Sequence, residues 1–182
     1  ETYLAQSLEV TNTLEKMVQE LLTISRLDTP GYTCKKSDID FSKLTNERLA
    51  AYEDLFMQKE LTVEKSIIPG LYVSGDIQLL QKVIDNLLGN AATYSGAGNY
   101  ISVKLWKEFE KVNFTIENTG VHIPNEYIPK LYEAFYRVDH SRSRQTGGTG
   151  LGLYIVKTIL ELHGAKIKIA NSVRGVIVSV QF

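Results

Sequence analysis

One cysteine, Cys34, stands in the 182-residue sequence, so no intrachain disulfide framework and no cysteine-rich zinc site can form. A reducing compartment fits this usage. No apolar run approaches the ~20 residues needed to span a bilayer. Neither sign of charge is in excess: 20 Lys and Arg face 21 Asp and Glu, a net charge of -1, which gives no support for a general nucleic-acid or membrane-surface binder. Internal repeats and low-complexity tracts are missing too. The opening Glu1-Thr2-Tyr3-Leu4 has neither an initiator Met nor a signal-peptide pattern, which predicts a fragment of something longer. What is present is ordinary globular material, 43% apolar and 23% charged, which argues against disorder.

Residues 3–27 contain no Pro or Gly and read as one helix. Leu4, Thr11 and Val18 recur at heptad spacing, Leu14 and Leu21 lie three further on, and Leu8, Met17, Leu22 and Ile24 widen the stripe. A face that wide belongs to a helix bundle. Asp28-Thr29-Pro30-Gly31 stops the helix, and nothing nearby in sequence covers the stripe. From Asp40-Phe41-Ser42 a helix is expected to about Lys59, with Leu44, Leu49, Tyr52 and Phe56 on one face. Strands follow at 61–67 and 71–73, and a strong helix runs from Asp76 to Tyr94. A strand pair is expected at 100–106 and 111–117, a helix at 151–162 capped by His163-Gly164, and closing strands at 166–170 and 176–181. Interleaved helices with hairpin-like strand pairs predict a two-layer α/β sandwich on a mixed sheet.

Chemistry concentrates in four segments. Asn86 and Asn90 are four apart, so they stack at the flank of the apolar face made by Leu80, Val83, Ile84, Leu87 and Ala91. Asn is a poor helix former, and two in a helix interior need a local benefit; two surface asparagines are the bland alternative. Gly147-Gly148-Thr149-Gly150-Leu151-Gly152-Leu153 opens a helix, where glycines admit a ligand close to the backbone and free N–H groups attract anions. It follows no strand of a dinucleotide-binding unit and lacks the Gly-Lys-Ser/Thr ending of a Walker loop, so a flexible loop fits equally on local grounds. Glu117-Asn118-Thr119-Gly120 ends a strand, where an amide could read a nucleobase edge. Arg137, Arg142 and Arg144 punctuate the stretch before the glycines, as phosphate forks or as solvated charges.

In this order the segments resemble the ATP-binding domain of bacterial sensor histidine kinases, the Bergerat or GHKL fold. Leu87 to Ser95 resembles the N-box, Glu117 to Pro124 the G1 box, Leu131 to Arg137 the F-box and Gly148 to Leu153 the G2 box. The resemblance covers about residues 40–182. It implies an α+β fold, a mixed sheet under three helices, preceded by one bundle helix. Residues 1–28, ending Leu22-Thr23-Ile24-Ser25-Arg26-Leu27-Asp28, look like the second helix of the dimerisation and histidine-phosphotransfer hairpin, with 29–39 as linker. Asn-Thr-Gly at 118–120 and the stretch 141–148 are similar to the vancomycin-resistance type of sensor kinase.

Roles follow from the resemblance alone. It implies that Asn90 ligates Mg²⁺ on the ATP phosphates, with Asn86 touching phosphate or metal one turn earlier. Tyr94 would pack on the nucleotide, Asn118 would bond the adenine amino group, and Gly120 would give the base room. Gly148, Thr149, Gly150, Leu151 and Gly152 would line the phosphates with backbone N–H groups, and Arg142 or Arg144 would reach the γ-phosphate from a mobile lid. A response regulator would be the downstream partner, the full-length protein a homodimer through bundle helices, and the fragment the cytoplasmic portion of a membrane-anchored sensor.

Several positions depart from the family pattern. Asn118 replaces the usual Asp, so the bond to adenine loses charge assistance. His122 replaces the second G1 glycine, and Thr93 stands where a Lys or Arg is common. None of His122, His140 and His163 is followed by an acidic residue and a Pro, so the phosphoacceptor helix is expected to be absent. A GHKL ATPase is disfavoured because Asn86 stands where those enzymes carry a general-base Glu. A degenerate docking module and an anti-sigma-factor serine kinase are further alternatives.

Overall fold

The structure, a computed structural model, describes residues 2–138 and 148–182. Helix α1 (Thr2–Leu27) leads into strand β1 (Ser37–Asp40), helices α2 (Phe41–Ala51) and α3 (Glu53–Gln58), and strands β2 (Thr62–Ile67) and β3 (Tyr72–Gly75). Helix α4 (Ile77–Tyr94) follows, then the hairpin β4 (Tyr100–Glu108) and β5 (Lys111–Thr119), and a 3₁₀ turn at Ile128–Tyr132. Helix α5 (Gly152–Leu162) and strands β6 (Lys166–Asn171) and β7 (Gly175–Gln181) complete it.

The main sheet runs β2-β4-β5-β7-β6, with β2 parallel to β4 and the other neighbours antiparallel. It is mixed, as expected. Alternation along β4 and β5 sends Ile101, Val103, Leu105, Phe114 and Ile116 to one face, all but lost to solvent. Helices α2, α4 and α5 cover that face. Leu80, Val83, Ile84 and Leu88 of α4 and Ile155, Val156, Ile159 and Leu160 of α5 have 0% exposure, the 3.6-residue period meeting the two-residue one. Phe41 sets its ring edge-on to Phe114 at 5.5 Å and to Phe182 at 5.0 Å.

Two local readings need correction. The single helix expected to Lys59 is two. Tyr52 leaves the helix at φ -100°, ψ -2°, its N–H turning back to Leu49 at 3.1 Å, and α3 restarts after it. The break aims the Tyr52 hydroxyl at the Asp85 carbonyl of α4, 3.0 Å away, beside the Arg48–Asp85 ion pair at 2.7 Å. Phe56 is thereby sunk into the core. The second correction is β1, for which four residues give no usable period. It lies inside the segment 29–39 expected as linker and extends one residue beyond it. It exists because β3 offers a partner, Ile39 opposite Val73, both buried.

His163 is a joint between elements. Its Nε2 accepts from the Asp76 N–H at 3.0 Å, so the proton sits on Nδ1, which donates to the Ile159 carbonyl at 2.7 Å. Both ring nitrogens are spent on tying the end of α5 to the start of α4. The apolar stripe of α1 stays in solvent, with Leu8, Val10, Leu14, Val18 and Leu22 each about half exposed or more. Leu27, by contrast, joins the core of the following domain, with Ile24 packed against it.

Candidate functional site

Asp76 caps α4 by accepting from the N–H groups of Gln78 and Leu79, and this fixes the register of every later residue on the helix. Asn86 and Asn90 then fall on the edge of the buried face, turned toward the start of α5. The Asn86 amide donates to the Lys82 carbonyl at 2.9 Å, and its oxygen lies 2.8 Å from where a β-carbon on Gly152 would stand. Between α4, α5 and the ends of β5 and β7 opens a cavity of about 380 Å³, a volume ordinary for a small-molecule site.

One end of the cavity is apolar. Ile116, Ile169, Val176 and Val178 floor it, and the strand alternation brings Asn118 to its edge. Asn118 shares a face with Phe114 and Ile116 and is only 8% exposed, so its amide stands at the edge of the apolar floor. The other end is polar: Asn86, Asn90, Thr93, Arg137 and the backbone of Gly148, Thr149 and Gly150. The Arg137 guanidinium donates to the Gly148 carbonyl and clips the glycine loop to the preceding segment. A second clip joins backbones, the Phe135 N–H donating to the Gly150 carbonyl at 3.0 Å. Tyr94 stands half exposed at the rim.

Of the residues expected from sequence, Asn86, Asn90, Tyr94, Asn118, Gly148, Thr149, Gly150 and Gly152 meet around this one cavity. Two do not. Leu151 has its side chain wholly buried, and its N–H donates to the Thr149 hydroxyl at 3.2 Å, so it offers no free donor. Gly120 does not line the cavity. It has φ +77°, and a β-carbon there would come within 2.5 Å of Asn99, so the turn after β5 requires a glycine at this position. Arg142 and Arg144 lie outside the described residues.

Sequence reasoning missed Lys16 and Glu20, which reach the polar end from α1. Nothing local marks them, since they lie opposite Leu14, Val18 and Leu21 on what reads as a solvated face. It also missed the brace behind Asn118. Glu117, on the other face of β5, accepts from the Ser172 hydroxyl at 2.5 Å and from Arg174 at 2.9 Å, holding the β6–β7 turn against the strand end. Burial pushes the Glu117 carboxyl up, but the hydrogen bonds from Ser172 and Arg174 and the Arg174 charge outweigh it, and the group sits below the usual carboxylate range. A depressed carboxyl stabilises the fold above its unfolded pKa, and that contribution is lost as pH falls through the folded one. Glu117→Gln should therefore lower the melting temperature near pH 7 and lose most of its deficit in acid. Thermal melts of both chains across pH check this, and a deficit constant with pH counts against it.

Residues 75–182, more than half the chain, match the family described as histidine kinase-, DNA gyrase B- and HSP90-like ATPases. The chain belongs to that family. A probable sensor kinase, SilS of Salmonella typhimurium, is 32% identical over 178 residues, covering 96% of this chain and 36% of SilS. The chain thus spans about a third of that relative's length. The nucleotide-free catalytic domain of histidine kinase ThkA aligns with a TM-score of 0.72 at 25% identity, over 81% of this chain and 95% of that one. A full-length histidine kinase, ShkA, crystallised with AMPPNP, has the same fold over 99% of this chain and 38% of its own, with a TM-score of 0.84 at 19% identity. ThkA in complex with the response regulator TrrA also shares it, over 97% and 48%, with a TM-score of 0.76 at 24% identity. The sheet and its helices are therefore those of a histidine-kinase-type ATP-binding domain.

Proposed function

We propose that this chain is the ATP-binding catalytic part of a two-component sensor histidine kinase, donating the γ-phosphoryl group of ATP to a His on a helix outside this sequence, for relay to a response regulator Asp. The observation that carries the reading is the convergence of Asn86, Asn90, Asn118 and the Gly148–Gly152 loop on one cavity, apolar at the Asn118 end and polar at the other. Asn118 would read the adenine amino group while the apolar floor excludes water. Tyr94 would cover the base, and the loop amides would face the phosphates.

The donor set fits Mg²⁺. Among the described residues no three His, Cys, Asp or Glu side chains cluster, so no all-protein cage exists. Asn90 and Asn86 instead offer neutral amide oxygens, which suit an ion that keeps waters and takes phosphate oxygens. When bound, Mg²⁺ would supply charge neutralisation on the triphosphate. Asn90 would hold it, and Arg142 or Arg144 would add a cation at the transferring group.

We read residues 1–28 as the second helix of the dimerisation hairpin and 40–182 as the catalytic domain; β1 (Ser37–Asp40) joins that domain through its pairing with β3, which leaves 29–36 as linker. The exposed stripe on α1 supports a homodimer through bundle helices in the full-length protein. No described helix is long and apolar enough to cross a membrane. We place the chain in the cytoplasmic portion of a membrane-anchored sensor, and the likeness to the vancomycin-resistance type rests on residues 118–120 and 141–148. Asn86 in place of an acidic residue supports phosphoryl transfer over hydrolysis, because an amide does not take a proton from water.

Incubated with γ-labelled ATP and Mg²⁺, the 182-residue chain should acquire no acid-labile phosphate. The chain fused downstream of a helix carrying a His-Glu and a following Pro should be labelled on that His. Stable label on the unfused chain, or none on a folded fusion that binds ATP, would overturn the reading.

A further inference from the structure

Helix α1 carries two faces. Leu14, Val18 and Leu21 form the apolar one, while Lys16, Glu20, Thr23 and Leu27 recur at helical spacing on the opposite side. That second side is seated on the catalytic domain. Leu27 is in the core, the Lys82 ammonium of α4 donates to the Thr23 hydroxyl at 2.5 Å, and Glu20 donates nothing but accepts from the Thr149 hydroxyl of the glycine loop. Glu20 is 4% exposed, an unusual depth for a glutamate, and it lines the polar end of the cavity with Lys16 one turn away at the rim. Thr149 is itself 8% exposed, and its oxygen also receives the Leu151 N–H, so the loop is hydrogen-bonded to its own residues and to α1. Burial, with the Arg26 charge, holds the Lys82 ammonium below its ordinary pKa, and the Glu20 charge across the α1–α4 contact offsets this only in part.

We propose that Glu20 is an intramolecular competitor for the phosphate end of the nucleotide site, so that seating of α1 on the catalytic domain and binding of ATP oppose one another. The inference rests on the nucleotide reading given above. A carboxylate and a triphosphate are both anions that want the same donors, the Thr149 hydroxyl and the glycine-loop amides. With Glu20 in place the loop has an acceptor already, and an entering phosphate meets like charge in a recess shielded from water. Nucleotide that prefers the vacated loop shifts α1 off the domain, and by linkage anything that holds α1 down weakens the nucleotide by the same factor. Signals passing along the bundle helix would then act directly on ATP occupancy.

The test is calorimetric titration of ATP with Mg²⁺ into the full 182-residue chain, wild type, Glu20→Ala and Glu20→Gln, with amide hydrogen exchange of residues 16–27 followed in parallel. Glu20→Ala should bind about ten-fold tighter or better and Glu20→Gln should lie between. In the wild type, saturating ATP should speed exchange in 16–27. Equal affinity in the three chains overturns the proposal and leaves the nucleotide reading standing. Weaker binding in Glu20→Ala also overturns it, since Glu20 and Lys16 would then complete the site. Unchanged exchange at saturation overturns it as well, and this measurement decides the matter if Glu20→Ala does not fold. No binding by any of the three removes the nucleotide reading and the proposal together.

Discussion

Asn90→Ala is expected to weaken Mg²⁺-dependent ATP binding by about 100-fold or more, roughly 2.8 kcal/mol, without unfolding the domain. Asn90 is on the partly exposed edge of α4, outside the packed face of Leu80, Val83, Ile84 and Leu88, so alanine there removes an amide and creates no cavity in the core. Alanine is also the better helix former. The loss should therefore be confined to the ligand. Hard cations take oxygen donors, and the protein offers few at this end: the Asn86 oxygen is close to Gly152, and no acidic cluster stands ready as a substitute among the described residues. Asn90→Asp keeps an oxygen and adds charge, so it should retain binding with altered metal preference. Calorimetry with and without Mg²⁺ measures both. Wild-type affinity in a folded Asn90→Ala chain would remove Asn90 from the site.

Gly150→Ala should damage the site through the backbone. Gly150 has φ +75°, and a β-carbon there would stand 2.8 Å from the Phe135 carbonyl carbon and 2.9 Å from its Cα. The left-handed conformation alone costs about 1–2 kcal/mol for an L-residue. The clash is with backbone, which cannot swing aside as a side chain does. Phe135 is already at φ +65° with its N–H committed to the Gly150 carbonyl. The two segments are thus interlocked, and adding one methyl forces the glycine loop away from the preceding segment. Loss of ATP binding with a fall in melting temperature is the expected result. Gly148→Ala is the control, because the nearest atoms its β-carbon would meet are those of the Arg137 side chain, at 3.4 Å and beyond, which can swing aside. Equal tolerance of both substitutions would show that the interlock does not shape the site.

Much of this was legible in one dimension. Strand and helix periods are local, so the α4 face, the β4–β5 hairpin and the buried α5 could be read from spacing, and Asn86 and Asn90 came with α4 because four residues make one turn. The ordered motifs then carried the family. Other features depend on partners distant in sequence. A four-residue β1 has no signal until β3 lies beside it, and Tyr52 breaks a helix to reach Asp85. Leu151 and Gly120 matched motif positions, yet packing turned one into core and gave the other to the Asn99 turn. Lys16 and Glu20 looked like any solvated helix face. Whether a polar face is solvated or docked is a question of what lies within a few ångströms of it, and the 129 residues separating Glu20 from Thr149 leave no trace in local pattern. Local hydrogen-bond and side-chain periods let the sequence by itself determine the elements and the family, while the tertiary structure decided which polar groups share one low-dielectric recess, because only close approach makes charges and donors compete.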